Sequence, residues 1–258
     1  MKSAVVIALA ALAAGCGGST EAVPERPPPA PAADATPTVP EIRTCTAGSA
    51  HRLGSRRLAY AALVRDRARA FRRPGRGLLA TFRRLNVNGV PTVLGVLGSV
   101  VGRGCEPVWY RVQLPMKPNG ITGYVRAREV EVATVRTRIE VDLSERRITL
   151  YRSGRRAIQT TAAIGSSATP TPLGRYYVNQ RLIPEDASGP FGPGAIGISA
   201  FSEVLTGWAQ GGPIAIHGTN RPDLVGRAVS NGCLRVENRV LQRMFDASLA
   251  GTPVVIRA

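Results

Sequence analysis

A chain of 258 residues, 44% hydrophobic and 20% charged, with a formal net charge of +17 at pH 7, carries enough apolar material for two folded units and a tail. Its 28 glycines and 20 prolines exclude an architecture of long helices and favour short strands with tight turns, so a mainly β fold is expected. Cysteine and histidine are scattered without metal-ligand spacing, which argues against a metal site.

The first residues read as an export signal: Lys2 precedes an apolar run from Ala4 to Ala14 that is too short to span a membrane. The following Ala13-Ala14-Gly15-Cys16 resembles a bacterial lipobox, which implies cleavage before Cys16, a lipid on its sulfur and residues 1–16 as signal and anchor. An ordinary secretory peptide that removes Cys16 is the alternative. In both cases the mature chain is expected outside the cytoplasm, and with the lipid it faces the periplasm or wall from the membrane. Residues 17–43, with Pro27-Pro28-Pro29, lack the large side chains that build a core and read as a disordered spacer. At about 3 Å per residue, such a Pro-rich segment spans several nanometres.

Residues 44–133 carry short strand-like runs, Val90 to Val96, Trp109 to Leu114 and Gly123 to Val125, between glycines and prolines. A small barrel is expected. The stretch Trp109-Tyr110-Arg111-Val112-Gln113-Leu114, with Pro118-Asn119-Gly120 and Gly123-Tyr124-Val125, resembles the second half of a bacterial Src-homology-3-like domain, a module that often binds wall peptides. Between His51 and Leu85 lie eleven arginines and one acidic residue, Asp66. Such a field attracts polyanions. For an exported chain these are wall polymers and lipid headgroups rather than nucleic acid, although a plain solvated basic face accounts for it equally well. Thiols outside the cytoplasm pair unless chemistry needs them free. With Cys16 lipidated, Cys45 and Cys105 are taken as a disulfide, and Cys233 is left reduced.

From residue 137 to 258 the texture becomes that of a second β domain. Ile139 to Leu143 and Arg147 to Tyr151 alternate, Thr160 to Ile164 and Tyr176 to Asn179 read as strands, and Thr169-Pro170-Thr171-Pro172 is a stiff turn. Residues 184–197 have the composition of a loop or lid, and Pro213 to Ile216 is a strand that delivers His217 at its end. Glu237 to Ala250 is the one clear helical segment, followed by a last strand from Val254 to Ile256.

Only His217 shares this domain with the expected free thiol. A thiol of ordinary pKa is a few per cent thiolate at neutral pH, so Cys233 needs an imidazole to take its proton. The sixteen residues between them allow a strand end, a loop and a return. Ser230-Asn231-Gly232 suits a turn whose amides, those of Gly232 and Cys233, form an oxyanion hole. The carbonyl of Gly218 is placed to hold the Nδ1 proton of His217, Arg235 to meet a substrate carboxylate, and Tyr177, Phe201 and Trp208 to line a groove, although aromatics in a β domain are more often core.

The segments Ile216-His217-Gly218-Thr219 and Ser230-Asn231-Gly232-Cys233-Leu234-Arg235 resemble the signature of the YkuD-type L,D-transpeptidases. Thr169 to Tyr177, Ala195 to Ser199 and Gly226 to Val229 extend the resemblance over roughly Arg138 to Ala258. The usual motif has His where Asn231 stands, which alters substrate contacts more than the nucleophile. The resemblance implies a catalytic β-sandwich with one or two helices, no metal or organic cofactor, and a role in peptidoglycan assembly and cell shape. Cys233 would attack the carbonyl at the L-centre of diaminopimelate in a tetrapeptide stem, expel D-Ala and form a thioester that the amine of a second stem resolves. Acylation of the cysteine by carbapenems is implied as well. The rival readings are an L,D-carboxypeptidase or amidase using the same cysteine, and an inactive wall-binding lipoprotein. A monomer is expected.

Overall fold

The computed structural model describes residues 44–205 and 207–258. The export signal, Cys16 and the Pro/Ala-rich segment through residue 43 lie outside the described residues. The described chain is mainly β, with two large sheets, one small parallel pair and a single α-helix.

The first sheet comprises β1 (Ala50–Arg52), β2 (Ala59–Val64), β3 (Arg67–Arg73), β4 (Arg76–Arg83), β5 (Val93–Val101), β6 (Pro107–Gln113), β7 (Thr122–Arg126) and β8 (Val130–Val135). Its order is β4-β3-β7-β6-β5-β2-β8, with β1 added on β5 and every pair antiparallel. Strand β2 is apolar throughout because both of its faces are covered. Tyr60, Ala62 and Val64 enter the sheet's own core, while Ala61 packs with Val93, Val135 and Ala250 on the side of the second sheet. Strand β3 solves a different problem: Ala68 and Ala70 point inward and Arg67 and Arg69 outward, so much of the arginine field is the wet side of a strand. The pairings leave β4 and β8 as free ends and carry the expected Src-homology-3-like closure no further than a sheet. Cys45 and Cys105 form a disulfide with Cα atoms 5.6 Å apart, and Cys233 is free.

The second sheet comprises β9 (Thr137–Asp142), β10 (Arg147–Arg152), β11 (Arg155–Thr161), β13 (Gly174–Leu182), β14 (Ala195–Phe201), β15 (Pro213–His217), β17 (Leu234–Arg235) and β18 (Pro253–Arg257), with β12 (Ile164–Gly165) and β16 (Ala228–Ser230) as a separate parallel pair. The order is β11-β10-β9-β18-β13-β14-β15-β17. Strand β13 turns this sequence into a sandwich: residues Gly174–Tyr177 pair with β18, and Val178–Leu182 pair with β14 across a register shift. Ile139, Leu150 and Val254 from one side and Ile196, Ile214 and Leu234 from the other then share one core.

Helix α1 (Asn238–Ala247) buries Leu241 and Met244 in that core. It is shorter than the expected Glu237–Ala250 segment. Ser248 takes an extended backbone, its hydroxyl donates to the Met244 carbonyl, and Gly251 turns the chain into β18 with φ of +92°. The expected loop is also shorter, because β14 begins at Ala195.

The two sheets are fastened to each other. Tyr177 donates to the Val93 carbonyl at 3.1 Å, and Gln113 donates through Nε2 to the Arg175 carbonyl at 2.7 Å. The expected hairpin turn at Asn119-Gly120 has a further use. The Asn119 carboxamide clasps the Phe201 backbone, donating to its carbonyl at 2.8 Å and accepting from its amide at 2.9 Å.

Candidate active site

Strand β15 alternates strictly: Ile214 and Ile216 enter the core, while Pro213, Ala215 and His217 face the other way. Strand β17 runs parallel beside it, with Ile216 opposite Leu234 and His217 opposite Arg235. This register puts Cys233 beside Ala215, diagonal to His217. In a sheet, diagonal neighbours lie about 7–8 Å apart, within reach of an imidazole. The two residues that sixteen positions separate in sequence are thus brought onto adjacent strands.

The imidazole is buried and its tautomer is set. Nδ1 lies 2.6 Å from the Gly218 carbonyl, which can only accept, so Nδ1 carries the hydrogen and Nε2 keeps its lone pair. Burial pushes the His217 pKa down to about 4, against the Gly218 hydrogen bond that raises it and with the Arg235 charge that lowers it further. The Phe191 ring leans on the imidazole with centroids 5.0 Å apart. Burial also raises the Cys233 thiol, opposed by the Ala215 amide and the Arg235 charge. The resting pair is therefore neutral imidazole and neutral thiol. No hydrogen bond joins them, since Sγ points to the Pro213 carbonyl at 4.0 Å.

The turn before the cysteine is held from three sides. Ser230 Oγ accepts from the Gly232 amide at 3.1 Å and donates to the Cys233 carbonyl. Thr169 Oγ1 donates to the Ser230 carbonyl at 2.9 Å, and Thr171 Oγ1 to the Gly232 carbonyl at 2.9 Å. Gly232 sits at φ of +106°, where an added Cβ would come within 2.8 Å of Ile214 Cδ1. Glycine is required there on both counts. The Gly232 amide, expected as an oxyanion donor, here donates to Ser230 Oγ. The Cys233 amide donates to no protein acceptor among the described residues and is free for that task. Ser230 and Gly232 shape the turn.

Arg235 stands opposite His217, and its Nε is buried without a partner. A half-buried arginine with an unpartnered Nε beside the thiol suits an anionic substrate group. Asn231 is exposed at the rim, with Thr169 Oγ1 3.4 Å from its Oδ1. Tyr177 is a correction: it is 2% exposed, its hydroxyl is used by Val93, and its ring fills the space above Gly95, so it belongs to the contact between sheets and lines no groove. Trp208 is exposed.

Four contributors escaped the sequence reading. Thr169 and Thr171 were legible only as partners of prolines, Phe191 as one aromatic in a Gly/Pro loop, and Asn238 as an ordinary helix-start residue. Asn238 Oδ1 accepts from the Thr219 amide at 2.7 Å and leaves no room for a side chain on Gly218 or Gly192. It thereby fixes the chain just after His217. Thr171 also accepts from the buried Gly165 amide at 2.9 Å. Thr171→Val keeps its shape and strands both partners, so a loss of about 1–3 kcal/mol is expected. It should appear as a lower urea midpoint with an unchanged slope.

A family model described as the L,D-transpeptidase catalytic domain, YkuD, matches residues 136–256. A Bacillus licheniformis protein carried under the name L,D-transpeptidase YkuD is 34% identical over 123 residues, 48% of this chain and 67% of its own length. Its Bacillus subtilis namesake is 32% identical over the same shares. Among solved structures, an Enterococcus faecium L,D-transpeptidase mutant is 24% identical, with a TM-score of 0.37 over 47% of this chain. The match spans about half of that protein, 49%. L,D-transpeptidase 3 of Mycobacterium tuberculosis is 13% identical with a TM-score of 0.41, over 65% of this chain and 92% of its own.

Proposed function

This chain belongs to the YkuD family of L,D-transpeptidases, and from that premise we propose that it is a cysteine acyltransferase acting on peptidoglycan stem peptides. The single observation that carries the mechanism is the register of β15 and β17, which sets Cys233 beside a buried, tautomer-fixed His217.

In the proposed cycle the Cys233 side chain rotates from the Pro213 carbonyl toward Nε2 as substrate enters. The imidazole takes the thiol proton while sulfur attacks the carbonyl at the L-centre of diaminopimelate. The oxyanion forms against the Cys233 amide. His217, now charged, returns the proton to the departing amine, so D-Ala leaves and a thioester is formed. The amine of a second stem then attacks the thioester, gives its proton to Nε2 and regenerates the thiol. Arg235 steadies a carboxylate near the reacting centre. No step requires a metal or an organic cofactor.

The chain is further proposed to work outside the cytoplasm, held by lipid at Cys16 and spaced from the membrane by residues 17–43. Support for this comes from the lipobox-like segment and the composition of the spacer. A monomer meeting anionic wall polymers through its arginines fits the same picture.

The test is incubation of the purified protein with tetrapeptide-bearing muropeptides. Release of D-Ala together with crosslinked dimers and a thioester adduct on Cys233 is the expected result. D-Ala with tripeptide and no dimer would replace the transpeptidase by a carboxypeptidase, and no release at all would reject acyl transfer from this substrate.

A further inference from the structure

A groove of about 1000 Å³ lies between the two sheets, and its lining includes Pro213, Phe201, Gln180, Asn88, Arg67 and Arg83. The groove reaches Pro213, the residue whose carbonyl Cys233 Sγ faces at 4.0 Å. The other end lies on the first sheet.

Three features of the groove point to its occupant. At the far end, Arg67 and Arg83 stand directly opposite each other across β3 and β4. Like charges so placed repel, and neither forms an ion pair among the described residues, although Asp66 shares the lining. Arg84 adds a third guanidinium. Along the middle runs a belt of neutral amides. Asn86 and Asn88 both donate to Gln180 Oε1, at 2.8 and 2.9 Å, and Gln210 donates to Asn88 at 3.0 Å. A cleft with fixed amides along its length and an uncompensated positive end suits an extended peptide with carboxylates.

Proton bookkeeping gives the direction. The departing amine takes its proton from His217, and the arriving amine must give one back to the same nitrogen. Both amines therefore share the His217 side of the thiol. The acyl portion of the donor must leave on the other side, toward Pro213 at the start of β15. We propose that this groove is the acyl-donor subsite, in which Arg67 and Arg83 of the first sheet hold free carboxylates of the donor stem peptide. The assignment rests on the acyl-transfer reading above, and it makes the first sheet part of the substrate site rather than a separate wall-binding module.

The test uses the full chain carrying Cys233→Ala, so that binding is read without turnover, and a fluorescent tetrapeptide stem with its carboxylates free or amidated. Adding Arg67→Glu and Arg83→Glu should weaken binding of the acidic peptide by about tenfold or more, the loss of two partly solvated ion pairs, and leave the amidated peptide unaffected. The Arg67→Gln and Arg83→Gln pair, which removes charge without reversing it, serves if the first pair fails to fold. Equal affinities in all proteins, or equal losses for both peptides as a distorted groove would give, overturn the proposal. D-Ala release by the chain with Cys233 intact is measured alongside. Its absence would count against the acyl-transfer reading, while the binding comparison would still decide the groove.

Discussion

Cys233→Ala is expected to lower D-Ala release by at least about 10⁴-fold, because the proposed acyl intermediate is formed on this sulfur. The argument rests on placement. Sγ is free and sits between the Pro213 carbonyl and the Ala215 amide at the edge of β15, and the turn that presents it is anchored by Thr169, Thr171 and Ser230. None of those anchors uses the sulfur. The variant should thus keep its fold, and its urea midpoint should stay close to that of the parent. A folded Cys233→Ala protein that still released D-Ala would move the nucleophile elsewhere.

His217→Gln is expected to cost about 10²- to 10⁴-fold, the range of a lost general base. The pH profile adds a sharper expectation. His217 is a base only when unprotonated, and its pKa is depressed to about 4. The acid limb of kcat/KM should therefore fall near pH 4, not near the ordinary histidine value of about 6.5. The same shift acts on stability. The folded pKa lies below the unfolded one, so between about pH 6.5 and 4 the unfolded chain binds the extra proton, and stability declines as pH falls through that window. For this buried group the decline amounts to about 3 kcal/mol. Urea midpoints measured from pH 7 to 4 should show it in the parent and not in His217→Gln, and an acid limb at about 6.5 would mean a solvated imidazole.

Much of the site could be read from the chain because its determinants are local. The alternation of Ile214 and Ile216 with outward residues announces β15, and a histidine at its end must leave the core face. Gly218 next to that histidine offers only its backbone, whose carbonyl is the acceptor. What escaped is tertiary. The hydrogen bond from Thr171 to Gly232 joins residues 61 positions apart, and nothing in Thr-Pro-Thr-Pro tells which hydroxyl finds which carbonyl. The partner of the Gly232 amide is likewise not written in the turn sequence, where Ser230 two residues earlier claims it. Tyr177 was misplaced because an aromatic in a strand has two faces to choose from, and the one it takes is covered by Gly95 of a sheet that lies far earlier in the chain. Strands β3 and β4 look like charge rather than strands in the sequence, because alanine is a weak apolar marker between arginines.

The raised pKa of Cys233 has a meaning beyond turnover. Peroxides and foreign disulfides attack sulfur in its anionic form, so a side chain held as S–H is a slow target for both. Held this way, the thiol stays sheathed between encounters and is bared only when the neighbouring ring draws off its hydrogen, which slows oxidation of the one free cysteine among the described residues.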